Sequence, residues 1–160
     1  MSEIDYVLKN IKVTEKDTQI DFKKFYQFLN KLLVDNGYFV MEKEYINKLK
    51  DDIKNKSIRL NAVKRMDDYS RFFISIRLKL LDAVEVEGEK ELFYHGDVSL
   101  NFECYIEKDY NNKWEKNAIL KFLRTIYDYV FLRSVFTEYE KQIKEETYDI
   151  FNKTKNYLGG

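Results

Sequence analysis

The chain has 160 residues, 28 basic and 28 acidic side chains, one His, one Cys, 25 Phe and Tyr with a single Trp, and no Pro. That length suits one domain, and an apolar fraction of 44% is enough to build a core without disulfide or metal staples. Zero net charge argues against a general nucleic-acid or polybasic membrane binder, while the lone His and lone Cys exclude His-rich metal centres, multi-cysteine zinc sites and an intramolecular disulfide.

Residues 1–20 are mixed. Ile4, Val7, Leu8 and Ile11 stand at helical spacing, which predicts a short helix or an arm, and residues 14–17 read as a polar connection. Residues 21–36 are a clearer amphipathic helix. Asp21 is the expected N-cap, Phe22, Phe25, Leu29, Leu32 and Leu33 form the apolar stripe, and Asn36-Gly37 supplies the stop, because glycine tolerates the left-handed conformation of a C-cap. The period then changes to two. Residues 38–46 read as a strand, the charged residues 48–56 as a connection, and residues 57–64 as a second strand with Ile58, Leu60 and Ala62 on one face. Asp67-Asp68 marks the next turn.

Residues 69–106 carry the strongest pattern. Phe72, Ile74, Ile76, Leu78, Leu80, Val84 and Val86 alternate with Arg71, Ser75, Arg77, Lys79, Glu85 and Glu87. Past a turn near Gly88, Leu92, Tyr94, Val98, Leu100, Phe102, Cys104 and Ile106 repeat the alternation. This predicts a long hairpin with one wet face and one buried face. Pairing Leu80 with Val98, Leu78 with Leu100, Ile76 with Phe102 and Ile74 with Cys104 keeps every apolar residue on the buried side, and a slip by one residue turns a strand inside out. In that register Asp82 meets Gly96, where a bulge or bend is expected. Residues 114–158 then read as helical. One stripe holds Ile119, Leu123, Ile126 and Val130, and a second holds Phe136, Tyr139, Ile143, Ile150 and Thr154, with a bend or break near Arg133-Ser134.

The expected fold is therefore a single α+β domain over residues 1–160. A meander of about four antiparallel strands is covered on one face by an N-terminal helix and a long C-terminal helical segment.

Few residues carry chemistry. His95 points outward beside the bend and reads as a surface or hairpin-end histidine; Cys104 falls on the buried face, where a thiol acts as a small hydrophobe. Asp82 interrupts the apolar row. It either lines a pocket with Tyr94, between the sheet and the long helix, or sits in a bulge that turns it to water; the cost of burying an unpaired carboxylate favours the second. Glu85, Glu87, Glu89 and Glu91 crowd the hairpin tip, but no calcium-loop pattern accompanies them, and a charged tip also blocks edge pairing. No phosphate-loop, dinucleotide, zinc-protease, serine-hydrolase or CxxC signature occurs. The expectation is no enzyme, no catalytic residue, no cofactor and no metal.

Aromatic surplus is the remaining signal. Phe73 and Tyr105 meet on the outer face of the hairpin among Arg71, Arg77, Glu103 and Glu107, a mix that suits a solvated or self-associating face better than a nucleic-acid platform. Trp114, Tyr127, Tyr129, Phe131 and Phe136 cover most of a helix circumference, as in a helix buried on more than one side. Charge is also uneven: residues 1–80 hold 17 basic and 12 acidic side chains, and residues 81–160 hold 11 and 16, which favours pairing between the halves.

The stretch from Cys104 through Tyr105, Ile106, Glu107, Lys108 and Asp109 to Tyr110, then Trp114-Glu115-Lys116 and residues 122–129, together with Gly37-Tyr38 and Glu42-Lys43, resembles a pattern in small uncharacterised archaeal proteins. The resemblance implies no activity. With no apolar run of about 18 residues and an N-terminus quickly interrupted by charge, a cytoplasmic location is expected. The leading expectation is a non-enzymatic protein-interaction or homodimerisation module. It has a protein partner or itself as partner, no membrane and no nucleic acid, and uses Phe73, Tyr105, Tyr127, Phe131 and Phe136 as its surface. The alternative is a small hydrophobic-ligand binder with a pocket at Asp82 and Tyr94.

Overall fold

A computed structural model describes residues 3–87, 92–108, 110, 118–130 and 133–159, with backbone alone at Glu87, Leu92, Leu120, Arg124, Tyr127, Asp128 and Val130. In chain order the elements are β1 (Glu3–Ile20), α1 (Phe22–Asp35), β2 (Phe39–Lys50), β3 (Ile53–Arg65), β4 (Ser70–Glu87), β5 (Leu92–Lys108), α2 (Ala118–Val130) and α3 (Arg133–Gly159). The strands form one antiparallel sheet in the order β1-β5-β4-β3-β2. The expected meander is present as β2 to β5.

The sheet has five strands rather than four, because residues 3–20 are neither helix nor arm but an edge strand on β5. Three register shifts explain the misleading spacing. Between Tyr6 and Leu8, Leu8 and Ile11, and Glu15 and Thr18, β1 spends one more residue than β5. Each such bulge advances the side-chain phase by one, so apolar residues meant for a single sheet face recur at intervals of three as well as two. Asp17, in the last bulge, has φ 51° and is held by its backbone N–H, which donates to Asp97 Oδ1 at 3.0 Å.

The charged residues 48–56 are likewise not a connection. β2 and β3 run through them to a two-residue turn at Asp51-Asp52, with φ of 52° and 66°, the double left-handed geometry that suits a right-twisted hairpin. The absence of a strand period there follows from exposure: β2 is wet on both faces along most of its length, so no apolar alternation is required of it.

The β4–β5 register matches the apolar pattern, with Leu80 opposite Val98, Leu78 opposite Leu100, Ile76 opposite Phe102 and Ile74 opposite Cys104. β3 adds Ile58, Leu60 and Ala62 to the same inner face. Helices α1 and α3 cover that face. Phe25, Leu29 and Leu33 of α1 and Ile143, Ile150 and Phe151 of α3 join the sheet residues in one core, and Phe151 meets Phe102 edge-on at 5.4 Å. Asp21 caps α1 by accepting from the Lys24 N–H at 3.1 Å, and Gly37, at φ 89°, ends it.

Two carboxylates tie the layers together. Glu146 of α3 accepts from the Tyr38 hydroxyl at 2.6 Å and from Lys64 Nζ at 3.0 Å, while Lys64 also donates to the Asn36 carbonyl at the end of α1. Asp67, in the β3–β4 turn, accepts from the N–H groups of Tyr69 and Ser70 at 2.8 and 2.6 Å and from the Tyr139 hydroxyl of α3 at 2.9 Å. Burial, reinforced by these carboxylates, drives the Tyr38 phenol far above its ordinary range and pushes Tyr139 up to about 12.

Candidate functional site

Asp82 lies in the expected bulge, turned to water, and does not share a pocket with Tyr94. β4 spends one extra residue between Leu81 and Val84, and Asp82 takes φ 51° and turns to water, its N–H donating to the Asn55 side-chain oxygen at 3.0 Å. Tyr94 is buried and lines a cleft between α1 and the inner face of β2 and β3, rather than beneath the long helix.

That cleft has a volume of about 770 Å³. Phe22 and Tyr26 of α1 form one wall, Glu42 and Tyr45 of β2 the other, and Lys56 and Ile58 of β3 with Tyr94 of β5 the floor. Tyr26 donates to Glu42 Oε2 at 3.0 Å and bridges the outer end; burial first, and this bond second, raise its phenol. Lys56 Nζ donates to the Tyr94 hydroxyl at 2.9 Å and lies 4.4 Å from the Tyr94 ring centroid and 5.3 Å from that of Phe22. Next to it, Lys54 pairs with Glu85 and reaches over the other end of Tyr94. The arrangement presents an ammonium against aromatic walls, which can hold an anion or stack a flat group.

The outer face of the sheet carries a second arrangement. The register aligns Tyr6, Tyr105, Phe73, Val63 and Phe39 in one row across all five strands. Tyr105 stacks on Phe73 at 4.9 Å and meets Tyr6 at 5.3 Å, and Arg71 lies over Phe73 while its Nε donates to Glu107 at 2.6 Å. Phe73 and Tyr105 are therefore half-buried by their own neighbours, and Arg71 is occupied by Glu107.

Helix α2 makes the third. Its described apolar side chains are exposed: Ile119 at 72%, Phe122 at 66% and Tyr129 at 73%, with Leu123 and Ile126 also exposed. At 100° per residue these five share one face. Phe136, expected on this surface, instead turns inward on α3, where it is 6% exposed, faces Tyr69, and is capped by Lys108 Nζ at 4.1 Å. The Tyr127 side chain, Phe131 and Trp114 lie outside the described residues, as do Glu89, Glu91 and the Glu87 side chain of the acidic tip.

His95 is exposed on the outer face between Val84 and Gln19, and burial pushes the Cys104 thiol up. Among the described residues, no group of three or more His, Cys, Asp or Glu could hold a metal ion, and no helix is long and apolar enough to cross a membrane. No family model, curated protein or solved structure matches the chain.

Lys56 and Tyr26 were not singled out by the sequence. Lys56 was legible in principle, since it shares the parity of Ile58, Leu60 and Ala62 and so belongs to the covered face of β3. The Tyr26–Glu42 bridge joins a helix to a strand 16 residues away and leaves no local pattern.

Proposed function

We propose that this chain is a self-associating protein-interaction module and that the apolar face of α2 is its contact surface. The observation that carries the reading is the exposure of Ile119, Phe122, Leu123, Ile126 and Tyr129 along one side of a single helix. Five side chains exposed to this degree amount to on the order of 500 Å² of apolar surface per copy, at the upper end of what a monomer ordinarily leaves in water. Two such faces together reach the roughly 1,000 Å² that a specific interface needs. A second copy is the occupant the charge supports, because a chain with 28 basic and 28 acidic side chains has no net repulsion to overcome on meeting itself.

Sedimentation velocity across a dilution series tests this. A dimer is expected, and Phe122→Glu with Ile126→Glu, both at exposed positions, should leave the fold intact and yield monomers. A wild-type chain that stays monomeric up to about 100 μM overturns the proposal. So does a dimer indifferent to both charges. A second reading is favoured by the cleft at Lys56 and Tyr94. Its volume of about 770 Å³ falls within the range of small-molecule sites and supports a ligand-binding role. The two readings use different surfaces and are tested separately.

A further inference from the structure

Three lysines occupy the covered face of β3 or its continuation, and two of them are neutralised. Lys54 pairs with Glu85, and Lys64 pairs with Glu146 while donating to the Asn36 carbonyl. Lys56 differs. Its ammonium donates to the Tyr94 hydroxyl and lies against the rings of Phe22 and Tyr94, and among the described residues no carboxylate stands within ion-pair distance of it. An ammonium has three donors, so two remain for a ligand. The nearby carboxylates that line the cleft are already engaged, Asp21 by the first turn of α1 and Glu42 by the Tyr26 hydroxyl. A positive charge set half-buried among aromatic walls without a counter-charge is a costly arrangement that an incoming anion relieves.

Resting on the ligand-binding reading, we infer that the cleft takes a small aromatic monocarboxylate. Its carboxylate docks on Lys56 Nζ and its ring lies between Tyr26 and Tyr45. Tyr45 pairs with Ile58, so it stands diagonal to Lys56 across adjacent strands, with Cβ atoms about 7 Å apart, and both residues line the cleft. Lys23 and Lys24 also line the cleft but are exposed on α1, so Lys56 supplies its one half-buried ammonium, which balances one negative charge. A phosphate dianion brings a second charge into a cleft whose far wall is the Glu42 carboxylate. The apolar body is accommodated by Tyr45, whose ring is half in solvent, and by Tyr26 opposite.

The test titrates the full chain with 3-phenylpropionate, with its neutral analogue 3-phenylpropanamide and with inorganic phosphate, read by calorimetry and by amide chemical shifts. The expected result is saturable binding of the carboxylate, with shifts centred on Tyr26, Tyr45, Lys56 and Tyr94. The amide should bind at least about tenfold more weakly, the ratio expected for one charge-assisted hydrogen bond. Lys56→Met should lose a similar factor and Lys56→Arg should keep most of the affinity. Should Lys56→Met fail to fold, the carboxylate-to-amide ratio on the wild-type chain decides alone. Equal binding of carboxylate and amide at the cleft overturns the anion inference while leaving a ligand site. Phosphate binding as strongly as the arene carboxylate overturns the aromatic part. No cleft shifts with any probe overturn both the inference and the reading beneath it.

Discussion

Replacing Gly96 with alanine tests the bulge that organises the distal half of the hairpin. An added Cβ at Gly96 would stand 2.8 Å from Ala83 Cα, 2.8 Å from the Leu81 carbonyl oxygen and 3.0 Å from Ala83 Cβ. Carbon contacts are comfortable near 3.5–4.0 Å, so roughly 0.7 Å must be opened, and two of the three obstructing atoms are backbone that no rotamer change can move. Overpacking of this kind costs about 2–3 kcal/mol. The compensating substitution lies opposite. Asp82 holds φ 51°, a conformation that costs an L-residue of the order of 1 kcal/mol and glycine almost nothing, and the hydrogen bond it donates to Asn55 is made by its backbone. Asp82→Gly should therefore be neutral or stabilise by about 0.5–1 kcal/mol, less the added freedom of the unfolded chain. Urea unfolding of both variants, at unchanged m-value, reads the two effects. A Gly96→Ala protein within about 0.5 kcal/mol of wild type, or an Asp82→Gly protein destabilised by more than about 1 kcal/mol, refutes the argument that this bulge needs a bare Cα on one strand and tolerates a left-handed residue on the other.

Asp67→Ala removes an acceptor used by two backbone N–H groups and by Tyr139, and should cost about 2–3 kcal/mol in urea unfolding; a loss under about 1 kcal/mol shows that the turn holds without it. Alkaline pH should act on the same contact. Burial and the Asp67 bond push the Tyr139 phenol up to about 12 from an ordinary 10.0, so its contribution is fully present below pH 10 and is lost as pH rises from 10 to 12. Tyr38, raised by burial and by Glu146, adds in the same direction. Phenolate absorbance should reveal tyrosines that ionise only as the circular dichroism of the fold is lost, and a titration in which all phenols ionise together near pH 10 in a folded chain contradicts this.

The sequence was most legible where one face of a strand had to be dry. The parity of residues 72–80 and 98–106 fixes the β4–β5 pairing, because a slip by one residue turns the five apolar side chains of one strand to water, and the same reasoning places Gly96 opposite the bulge that holds Asp82. Legibility failed where that demand lapsed. β2 is wet on both faces and so carries no period to read, and β1 obeys a period that three bulges keep resetting. Three ion pairs among the described residues, Lys54 with Glu85, Lys64 with Glu146 and Arg71 with Glu107, join a first-half base to a second-half acid, and Lys108 with Asp5 runs the other way. The cleft was half legible. The parity of Tyr94 points it inward, but the bulge turns Asp82 to water, and Lys56 carries no distinguishing signal because a lysine in a short alternating run reads as ordinary solvation.

An open sheet can also associate edge to edge, and the two edges here obstruct that route in different ways. β1 is broken by three bulges, each of which disturbs the ladder of N–H and C=O groups that a new strand must match, and Lys9, Lys12 and Lys16 stand exposed along it. β2 is more regular, with one shift between Glu42 and Glu44, and it leaves Phe39 at 70% exposure and Leu49 exposed at its other end. Between those ends Glu42, Lys43, Glu44 and Lys48 alternate in sign along the strand, and the exposed apolar residues Phe39, Tyr45, Ile46 and Leu49 are split between its two faces, so a second β2 laid antiparallel must desolvate charges without gaining one continuous apolar face. Helix α2 imposes no such penalty: its five large apolar side chains exposed among the described residues share one face, and a helix satisfies its backbone hydrogen bonds internally. Association through α2 therefore leaves the strand count of each sheet at five, and amide protection along β2 should be the same in the dimer as in the Phe122→Glu, Ile126→Glu monomer. Protection of β2 amides that appears with dimerisation places the contact at the sheet edge instead.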